Sequence, residues 1–370
     1  MIKIADNVYS VGVIDSEVRI FHGYYTPLGT TYNAYLVVDD QVTLIDFVKE
    51  KFAEEFLKNI EEVLGDRTID SIICNHVEPD HSGALPQVVD KYPQAMIYGT
   101  ANCQKELKAY YPDAVYDFTV VKAGDFLDTG KHHFSFIPMP MVHWPDSMST
   151  YLAEEKILFS NDAFGQHTGT GELFDTDKGL ERLLDRAGDY YANIVLPFGM
   201  QVTKLLDMAS AFDIQMICPS HGVIITKYIP EIIEKYISWS KNETNDKQVL
   251  IVYDTMWGTT EKMARLLEQE YTSKGFTVET VNLTEEHYSH AMARVLEAKY
   301  IFVGSPTLNN TMLPSVMAFL TYMKGLKPKG RIGKAFGSYG WSGESIGQVN
   351  DLLASCGFEM EDPLKALWNV

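Results

Sequence analysis

Cysteine is scarce in this sequence, and none of the four cysteines belongs to a C-x-x-C pair. They are scattered at Cys74, Cys103, Cys218 and Cys356, so no cysteine cluster is available for a structural zinc or an iron–sulfur centre. Free thiols suit a reducing compartment, and we expect the protein in the cytoplasm. No charged-then-apolar leader opens the chain and no apolar run reaches the length of a membrane span, so we expect no membrane association.

Basic residues are also in short supply: 31 Lys and Arg stand against 50 Asp and Glu, for a net charge of -19. Nucleic acid would be repelled by such a chain, which has no broad basic face to release counterions. The length of 370 residues and the 46% hydrophobic content describe a globular protein with room for two domains, each with its own core.

A polar segment without periodicity, Ser238 to Gln248, divides the chain. Before it, strand-like segments alternate irregularly with amphipathic helical patterns, which favours a layered α/β sandwich. After it, strand and helix patterns alternate regularly from "VLIVYD" onward, which predicts a doubly wound parallel sheet. We therefore predict two domains, residues 1–245 and 246–370.

The stretch "HVEPDH" places His76, Glu78, Asp80 and His81 within six consecutive positions. Because a proline lies between them and a glycine follows shortly after, we predict a rigid turn and not a helix face. The alternative is a solvated polar loop. Packing two acids and two imidazoles into one turn is electrostatically costly unless cations neutralise them, which favours a metal site.

Three further candidates occur where an apolar strand gives way to a loop: His143, Asp162 and His221. A lone histidine at such a position is usually structural, so each of these is a weak signal alone. Added to the first cluster, they make four imidazoles and three carboxylates, enough for two cations if one carboxylate bridges them. Glu78 stands where a hydrolytic zinc loop would carry a third histidine, and the carboxylate-rich set favours iron or manganese over zinc.

Three loops in the second domain follow apolar strands at the same sheet edge: Thr255–Thr260, Gly304–Pro314 and Gly337–Ser345. The first combines hydroxyls and a glycine with a helix N-terminus, a phosphate cradle that is neither a P-loop nor G-x-G-x-x-G. Alone, a plain strand–turn–helix junction explains it equally well. Together the loops surround the switch point of a flavodoxin-like sheet, and Trp341 offers the flat aromatic wall that an isoalloxazine ring needs.

On the stretches "HVEPDH", "HWPDSM", "SNDAFGQH", "PSHG" and "FHGY…GTTYNAYLV", the chain resembles the flavodiiron proteins (A-type flavoproteins) over essentially its whole length. That family joins a metallo-β-lactamase-like αββα sandwich to a flavodoxin-like doubly wound parallel sheet. The resemblance implies two iron ions. One would be held by His76, Glu78 and His143, the other by Asp80, His81 and His221, with Asp162 as the bridge.

The resemblance also implies FMN in the three loops, with Trp341 against the ring and Trp257 contacting it through the backbone. The expected flavin-binding residues are Thr255, Met256, Trp257, Gly258, Thr259, Thr260, Ser305, Pro306, Thr307, Leu308, Asn309, Asn310, Ser338, Tyr339, Gly340, Trp341, Ser342 and Gly343.

Residues around the metal ligands are expected to orient them or deliver protons. Catalytic roles of this kind are expected for His22 and Tyr191, and supporting roles for Trp144, Asp146 and His167. For Trp144 an ordinary core position is the alternative. The histidines without a motif partner, expected at the surface, are His132, His133, His287 and His290.

The implied activity is reduction of dioxygen to water, of nitric oxide to nitrous oxide, or of both, with FMN relaying electrons. The donor would be a separate molecule: rubredoxin, reduced deazaflavin F420 or a flavin reductase. The basic segment Lys324–Lys334 is either a solvated linker or a docking patch for an acidic donor. A head-to-tail homodimer, possibly a tetramer, is expected, because in the family flavin and irons lie too far apart within one chain.

Two other functions are consistent with parts of the sequence. One is a zinc hydrolase of the metallo-β-lactamase superfamily fused to a flavodoxin-like module, against which Glu78 argues. The other is an electron carrier with an inert first domain, against which the complete ligand set argues. The family usually continues into a last helix, whereas this sequence stops at "DPLKALWNV", so we expect either that this helix is absent or that the sequence is truncated.

Overall fold

The computed structural model describes residues 1–370, and the chain divides into two compact units. The first consists of Met1–Phe21, Thr26–Ala187 and Met200–Tyr236; the second consists of His22–Tyr25, Gly188–Gly199 and Ile237–Val370. Each unit therefore takes more than one stretch of sequence. No helix is both long and apolar enough to span a bilayer.

Two sheets form the first unit. The larger has seven strands, in spatial order Ile2–Ala5, Val8–Ser10, Tyr35–Val38, Val42–Ile45, Ser71–Ile73, Met96–Gly99 and Asp117–Val120. The smaller has five, in the order Phe126–Asp128, His133–Pro138, Met148–Leu152, Ile157–Asn161 and Met216–Pro219. A short strand pair links Val13–Asp15 to Thr30–Tyr32.

Alternation along the strands places the core of this unit on both faces of the seven-stranded sheet. Leu36, Leu44 and Ile72 belong to the cluster that includes Phe56 and Leu107 from outer helices. Their chain neighbours, including Val37 and Ile73, belong to a second cluster with side chains of the five-stranded sheet, because successive strand residues point to opposite faces. The helices are Ala53–Leu64, Pro79–Ser82, Leu85–Lys91, Ala101–Tyr110 and Asp175–Lys178, together with Leu180–Tyr190, Gly199–Ala209 and Ile229–Ser240, each of which has one end in a segment of the second unit. The predicted layered sandwich is confirmed.

The turn predicted for "HVEPDH" is wrong in one respect, because Pro79–Ser82 forms a short helix. Pro79 occupies its first turn, where a missing N–H costs nothing and the fixed φ favours the helix. Asp80 and His81 therefore lie on a helical turn, while His76 and Glu78 precede it. The proline that was expected to exclude a helix in fact begins one.

The second unit contains an all-parallel sheet. Its strands run in the spatial order Thr277–Asn282, Asn245–Tyr253, Ala298–Gly304 and Ile332–Tyr339, and the short strands Glu359–Met360 and Leu364–Leu367 both pair with the last of these. The first strand in sequence thus lies between the second and the third, which creates a switch point at the carboxyl ends of the first and third. The predicted doubly wound sheet is confirmed.

Helices of the second unit are Thr259–Ser273, Tyr288–Val295, Pro314–Leu326 and Glu344–Ser355. The first packs on the sheet through Met263 and Leu267, which share a cluster with Val249, Ile251 and Phe302. A π-helical turn, Tyr191–Val195, and a 3-10 turn, Leu196–Phe198, belong to the chain segment that joins this unit.

Of the histidines expected at the surface, His132 contradicts the prediction. It is buried, and its Nδ1 atom lies 3.0 Å from Oδ2 of buried Asp39, which also accepts hydrogen bonds from the backbone N–H groups of Lys131 and His132. His133 is about half exposed and pairs with Glu154.

Candidate functional site

Seven side chains of the first unit converge from four loops that each follow a strand. The loop after Ser71–Ile73 contributes four of them, and the loop after Met216–Pro219 contributes His221. Asp162 directly follows Ile157–Asn161, and His143 lies between His133–Pro138 and Met148–Leu152. The sequence singled out all seven as metal ligands, and the structure brings them together in two groups.

The first group consists of His76, Glu78, His143 and Asp162, whose ligand atoms all lie within 4.8 Å of one another. His143 Nε2 is 3.2 Å from Glu78 Oε2 and 3.1 Å from Asp162 Oδ2. His76 Nε2 is 3.4 Å from the same glutamate oxygen and 3.5 Å from the same aspartate oxygen.

The second group consists of Asp80, His81 and His221, again within 4.8 Å. Asp80 Oδ2 lies 3.3 Å from His81 Nε2 and 3.2 Å from His221 Nε2. Asp162 Oδ1 lies 3.2 Å and 3.5 Å from the same two nitrogens. One oxygen of Asp162 thus faces each group, which is the arrangement of a bridging carboxylate.

The geometry fits cations. Ligand atoms bound at about 2.1 Å to one ion in tetrahedral or octahedral geometry are separated by about 3.0 to 3.4 Å, close to the distances found here. His76 Nε2 and His81 Nε2 are buried and face the carboxylate oxygens of the two groups, so both nitrogens are positioned to coordinate. Imidazole together with hard carboxylate oxygens is a donor set that suits iron.

The buried carboxylates of the cluster favour positive charge on their neighbours. Burial opposes protonation of His76 and His81, yet the surrounding carboxylates outweigh it, so that the pKa of His76 is well above its ordinary value and the pKa of His81 is raised to about 9. Burial likewise opposes ionisation of Asp162, but the imidazoles of His81 and His143 hold its pKa well below the ordinary value. Bound cations would meet this demand in place of protons.

Two of the imidazoles are oriented by contacts at their Nδ1 atoms. His76 Nδ1 lies 2.9 Å from Asp146 Oδ2, which also accepts a hydrogen bond from the backbone N–H of Val77 at 2.7 Å. His221 Nδ1 lies 2.6 Å from the carbonyl oxygen of Thr31. A contact of this kind fixes the ring and leaves Nε2 directed at the metal position. The supporting role predicted for Asp146 agrees with this geometry.

The strand that leads into the cluster is held by Asp46, a residue that sequence analysis missed. Asp46 accepts hydrogen bonds from the backbone N–H and the side-chain amide of Asn75, at 2.7 and 3.0 Å. Burial raises the pKa of Asp46 to about 6. The signal for it was present, because Asp46 also stands where an apolar strand ends.

Other expected supporting residues have separate surroundings. His167 Nδ1 lies 2.8 Å from Thr30 Oγ1, whose hydroxyl is also 3.4 Å from His221 Nδ1. The Trp144 ring packs edge-on against the His76 ring, with centroids 5.2 Å apart. His22 and Tyr191 fall in the chain segments that belong to the second unit. Their catalytic role stays a prediction.

The second unit contains a cavity of about 820 Å³ at the carboxyl ends of its strands. All three loops singled out in the sequence contribute to its wall. The lining residues are Met256, Trp257, Thr259, Pro306, Thr307, Leu308, Asn309, Asn310, Ser338, Tyr339, Gly340, Trp341, Ser342 and Trp368.

Five expected flavin-binding residues do not line this cavity: Thr255, Gly258, Thr260, Ser305 and Gly343. They belong to the loops around the cavity, and several of them hold these loops in place through hydrogen bonds. Thr255 Oγ1 accepts a hydrogen bond from the Gly258 N–H at 3.1 Å. Gly258 has a φ of 82°, a backbone conformation that is strained for a residue with a side chain. The hydroxyls of Thr260 and Ser338 lie 2.9 Å apart, and Ser305 Oγ accepts from the Leu313 N–H at 2.9 Å. Trp368 was missed altogether.

The cavity suits FMN in size and chemistry. Its volume lies within the range of about 300 to 1,000 Å³ usual for ligand pockets. Trp257 and Trp341 are 91% and 88% exposed, so a flat aromatic ligand would remove costly apolar surface from water. The N-terminus of helix Thr259–Ser273 offers backbone N–H groups for a phosphate.

Comparison with known proteins agrees with both halves of this description. A family model described as "ODP family beta lactamase" matches residues 30–222, and one described as "Flavodoxin" matches residues 251–367. The first match includes all seven candidate ligands, and the second includes the three loops that line the cavity.

Three known proteins illustrate the likeness. The chain is 40% identical to a nitric oxide reductase of Moorella thermoacetica over 97% of this chain and 91% of that protein. It superposes on the rubredoxin oxygen:oxidoreductase of Desulfovibrio gigas with a TM-score of 0.96 and 38% identity, covering 100% of this chain and 93% of the other. For the flavodiiron protein of Giardia intestinalis the TM-score is 0.95 at 36% identity, with 99% and 91% covered. None of the three is named for hydrolysis, so the zinc-hydrolase alternative is not favoured.

Proposed function

The chain belongs to the flavodiiron protein family, and we propose that it reduces dioxygen to water, nitric oxide to nitrous oxide, or both, at a non-haem diiron centre supplied with electrons through FMN. The observation that supports this most directly is the position of Asp162, with one carboxylate oxygen toward each group of ligands. A closely spaced pair of metals is what binding one diatomic across two sites, or two diatomics side by side, requires.

We assign the ligands as the two groups of side chains indicate. His76, Glu78 and His143 would hold one iron, Asp80, His81 and His221 the other, and Asp162 would bridge them. When bound, the irons supply adjacent open positions for the gas, and FMN supplies electrons one at a time. Asp146 and the Thr31 carbonyl hold the rings of His76 and His221 in position. The three carboxylates favour the oxidised metal.

Protons for the reduction have to come from the protein or from water, and we assign their delivery to His22 and Tyr191. Burial raises the pKa of Tyr191, so its hydroxyl keeps its proton at neutral pH and would serve as a hydrogen-bond donor in the proton path. The π-helical turn Tyr191–Val195 supports this assignment, since such turns are frequent at functional sites.

The electron donor is proposed to be a separate molecule, rubredoxin or reduced F420. A head-to-tail homodimer, possibly assembled further into a tetramer, is proposed as the working form. The exposed tryptophans Trp257 and Trp341 support an interface, because large exposed aromatics often mark one. Four free cysteines, three of them buried, support a cytoplasmic location.

Anaerobic reduction of the purified holoprotein tests the function. Iron and FMN are quantified first, the protein is reduced with excess donor, and consumption of dioxygen and of nitric oxide is followed in separate experiments, with nitrous oxide measured as product. Asp162→Asn serves as the metal-site control and Asp113→Asn, at an exposed loop position, as the matched surface control. Two zinc ions and no iron, with hydrolysis of a thioester, would overturn the proposal.

A further inference from the structure

Trp368 lines the flavin cavity, although it lies outside the three loops that define a flavodoxin-like site. It follows the short strand Leu364–Leu367, which pairs in parallel with Ile332–Tyr339. Its side chain is 73% exposed, an unfavourable state for an indole unless a ligand covers it.

Trp368 is also held in an unusual backbone conformation. Its φ of 61° lies in the left-handed region, where a bulky residue without a compensating constraint is an outlier. Residues in such conformations cluster at ligand clamps and active sites, where the surrounding structure enforces them.

Three hydrogen bonds enforce the conformation here. The Trp368 backbone N–H donates to the Tyr339 carbonyl at 2.9 Å, and its indole Nε1–H donates to the Gly340 carbonyl at 2.5 Å. The Trp368 carbonyl in turn accepts from Thr259 Oγ1 at 3.0 Å. Trp368 is therefore tied both to the loop at the start of helix Thr259–Ser273 and to the loop that carries Trp341.

We propose that Trp368 is a flavin-contact residue, an aromatic wall that closes the FMN cavity from the last strand of the sheet. The proposal rests on the assignment of FMN made above. Its support is the combination of a strained backbone, an exposed indole and hydrogen bonds to two of the cavity's loops. The indole bond to Gly340 fixes the ring plane, so less side-chain freedom is lost when the ligand binds.

A purely structural role is the competing explanation, since the same hydrogen bonds join the last strand to two loops. The two roles differ in what a substitution changes. A structural residue affects the stability of the flavin-free protein, whereas a contact residue affects FMN affinity. Leu367 provides a matched control, because it precedes Trp368 in the same region, is itself 47% exposed and does not line the cavity.

The experiment titrates FMN into the flavin-free full-length protein and follows quenching of flavin fluorescence. An aromatic contact of ordinary strength predicts that Trp368→Ala raises the Kd for FMN about three- to tenfold. Trp368→Phe should fall between that variant and the unchanged protein, and Leu367→Ala should stay within about twofold. Trp368→Gly removes both the ring and the backbone strain. It should weaken FMN binding as much as the alanine variant does. The flavin-free form of the glycine variant should be at least as heat-stable as that of the alanine variant.

Unchanged FMN affinity in Trp368→Ala and Trp368→Gly, with a change only in the melting temperature of the flavin-free protein, would overturn the proposal in favour of a structural role. The affinity of Trp368→Phe decides the matter if the smaller variants fail to fold. A protein that fails to bind FMN even without substitution would instead count against the proposed function, so the two failures are distinguishable.

Discussion

The Nδ1 atom of His76 lies 2.9 Å from the Oδ2 atom of Asp146, and both side chains are completely buried. The aspartate therefore fixes the ring of His76 and leaves its Nε2 atom facing Glu78 and Asp162. Because the same oxygen also accepts the Val77 N–H, ring and backbone are positioned by one carboxylate.

Loss of the Asp146 carboxylate should weaken iron binding without removing any ligand. We expect Asp146→Ala to lower iron affinity about 10- to 100-fold, the usual effect of removing a hydrogen-bond partner behind a ligating histidine. Asp146→Asn, which keeps an acceptor but not the charge, should lose less. Iron content and competition with a chelator measure the effect, with Asp113→Ala as the surface control. Equal iron affinity in all three variants would contradict the positioning role.

Replacing Asp162 should affect both metal positions at once. An amide in its place has only one oxygen and no charge, so Asp162→Asn should reduce gas consumption at least about 100-fold. Flavin absorbance should remain unchanged, because the residue belongs to a different compact unit from the flavin cavity. Asp162→Glu keeps the two oxygens and should retain more iron than the asparagine variant. Full activity in Asp162→Asn would refute the bridging assignment.

The buried Asp39 should make a pH-dependent contribution to stability. Burial raises its pKa, but the backbone N–H groups of Asp40, His132 and Lys131 outweigh this and hold the pKa of Asp39 below its ordinary value. Its contribution is therefore present above about pH 4, the pKa of an unfolded aspartate, and is lost as the pH falls through the lower folded value. At neutral pH, Asp39→Asn should cost about 1 to 3 kcal/mol.

Denaturant unfolding of the unchanged protein and of Asp39→Asn at several pH values measures this contribution. The difference between the two should shrink below about pH 4, because protonation then imitates the substitution. A difference that stays constant from pH 7 to pH 3 would show that the carboxylate charge is irrelevant.

Arg331 should be among the most important stabilising residues of the second unit. It is 1% exposed, and its guanidinium donates to the carbonyls of Val295 and Leu296 at 3.1 and 2.6 Å and to the Asn242 side chain at 3.1 Å. Truncation leaves these buried acceptors without donors, so we expect Arg331→Gln to cost about 2 to 4 kcal/mol. Thermal unfolding checks this, and Lys329→Gln, at an exposed side chain two residues away, should be neutral.

The candidate metal ligands stand out in the sequence because their signal is local. Four of them occupy six consecutive positions, and the other three each follow an apolar strand, where side chains of layered sheets tend to project into a site. The flavin loops were predictable for the same reason. Helix Pro79–Ser82 was not, since four residues are too few to show a 3.6-residue period.

Other features depend on partners remote in sequence. His132 was expected at the surface because no motif surrounds it, yet Asp39, 93 residues earlier, binds it in the core. Trp368 has the same difficulty, since its place in the cavity follows from how Leu364–Leu367 pairs with Ile332–Tyr339. Such pairings result from tertiary folding and leave no periodic trace.

Membership of Gly188–Gly199 and His22–Tyr25 in the second unit limits how the chain can be taken apart. Asn193 Oδ1 accepts a hydrogen bond from the Tyr322 hydroxyl at 2.9 Å, and the Tyr25 N–H donates to Ser289 Oγ at 3.1 Å. A fragment starting at residue 246 would lack both segments and expose the surface they cover. Separate expression of the flavin-binding half therefore calls for grafting or circular permutation, not for simple truncation.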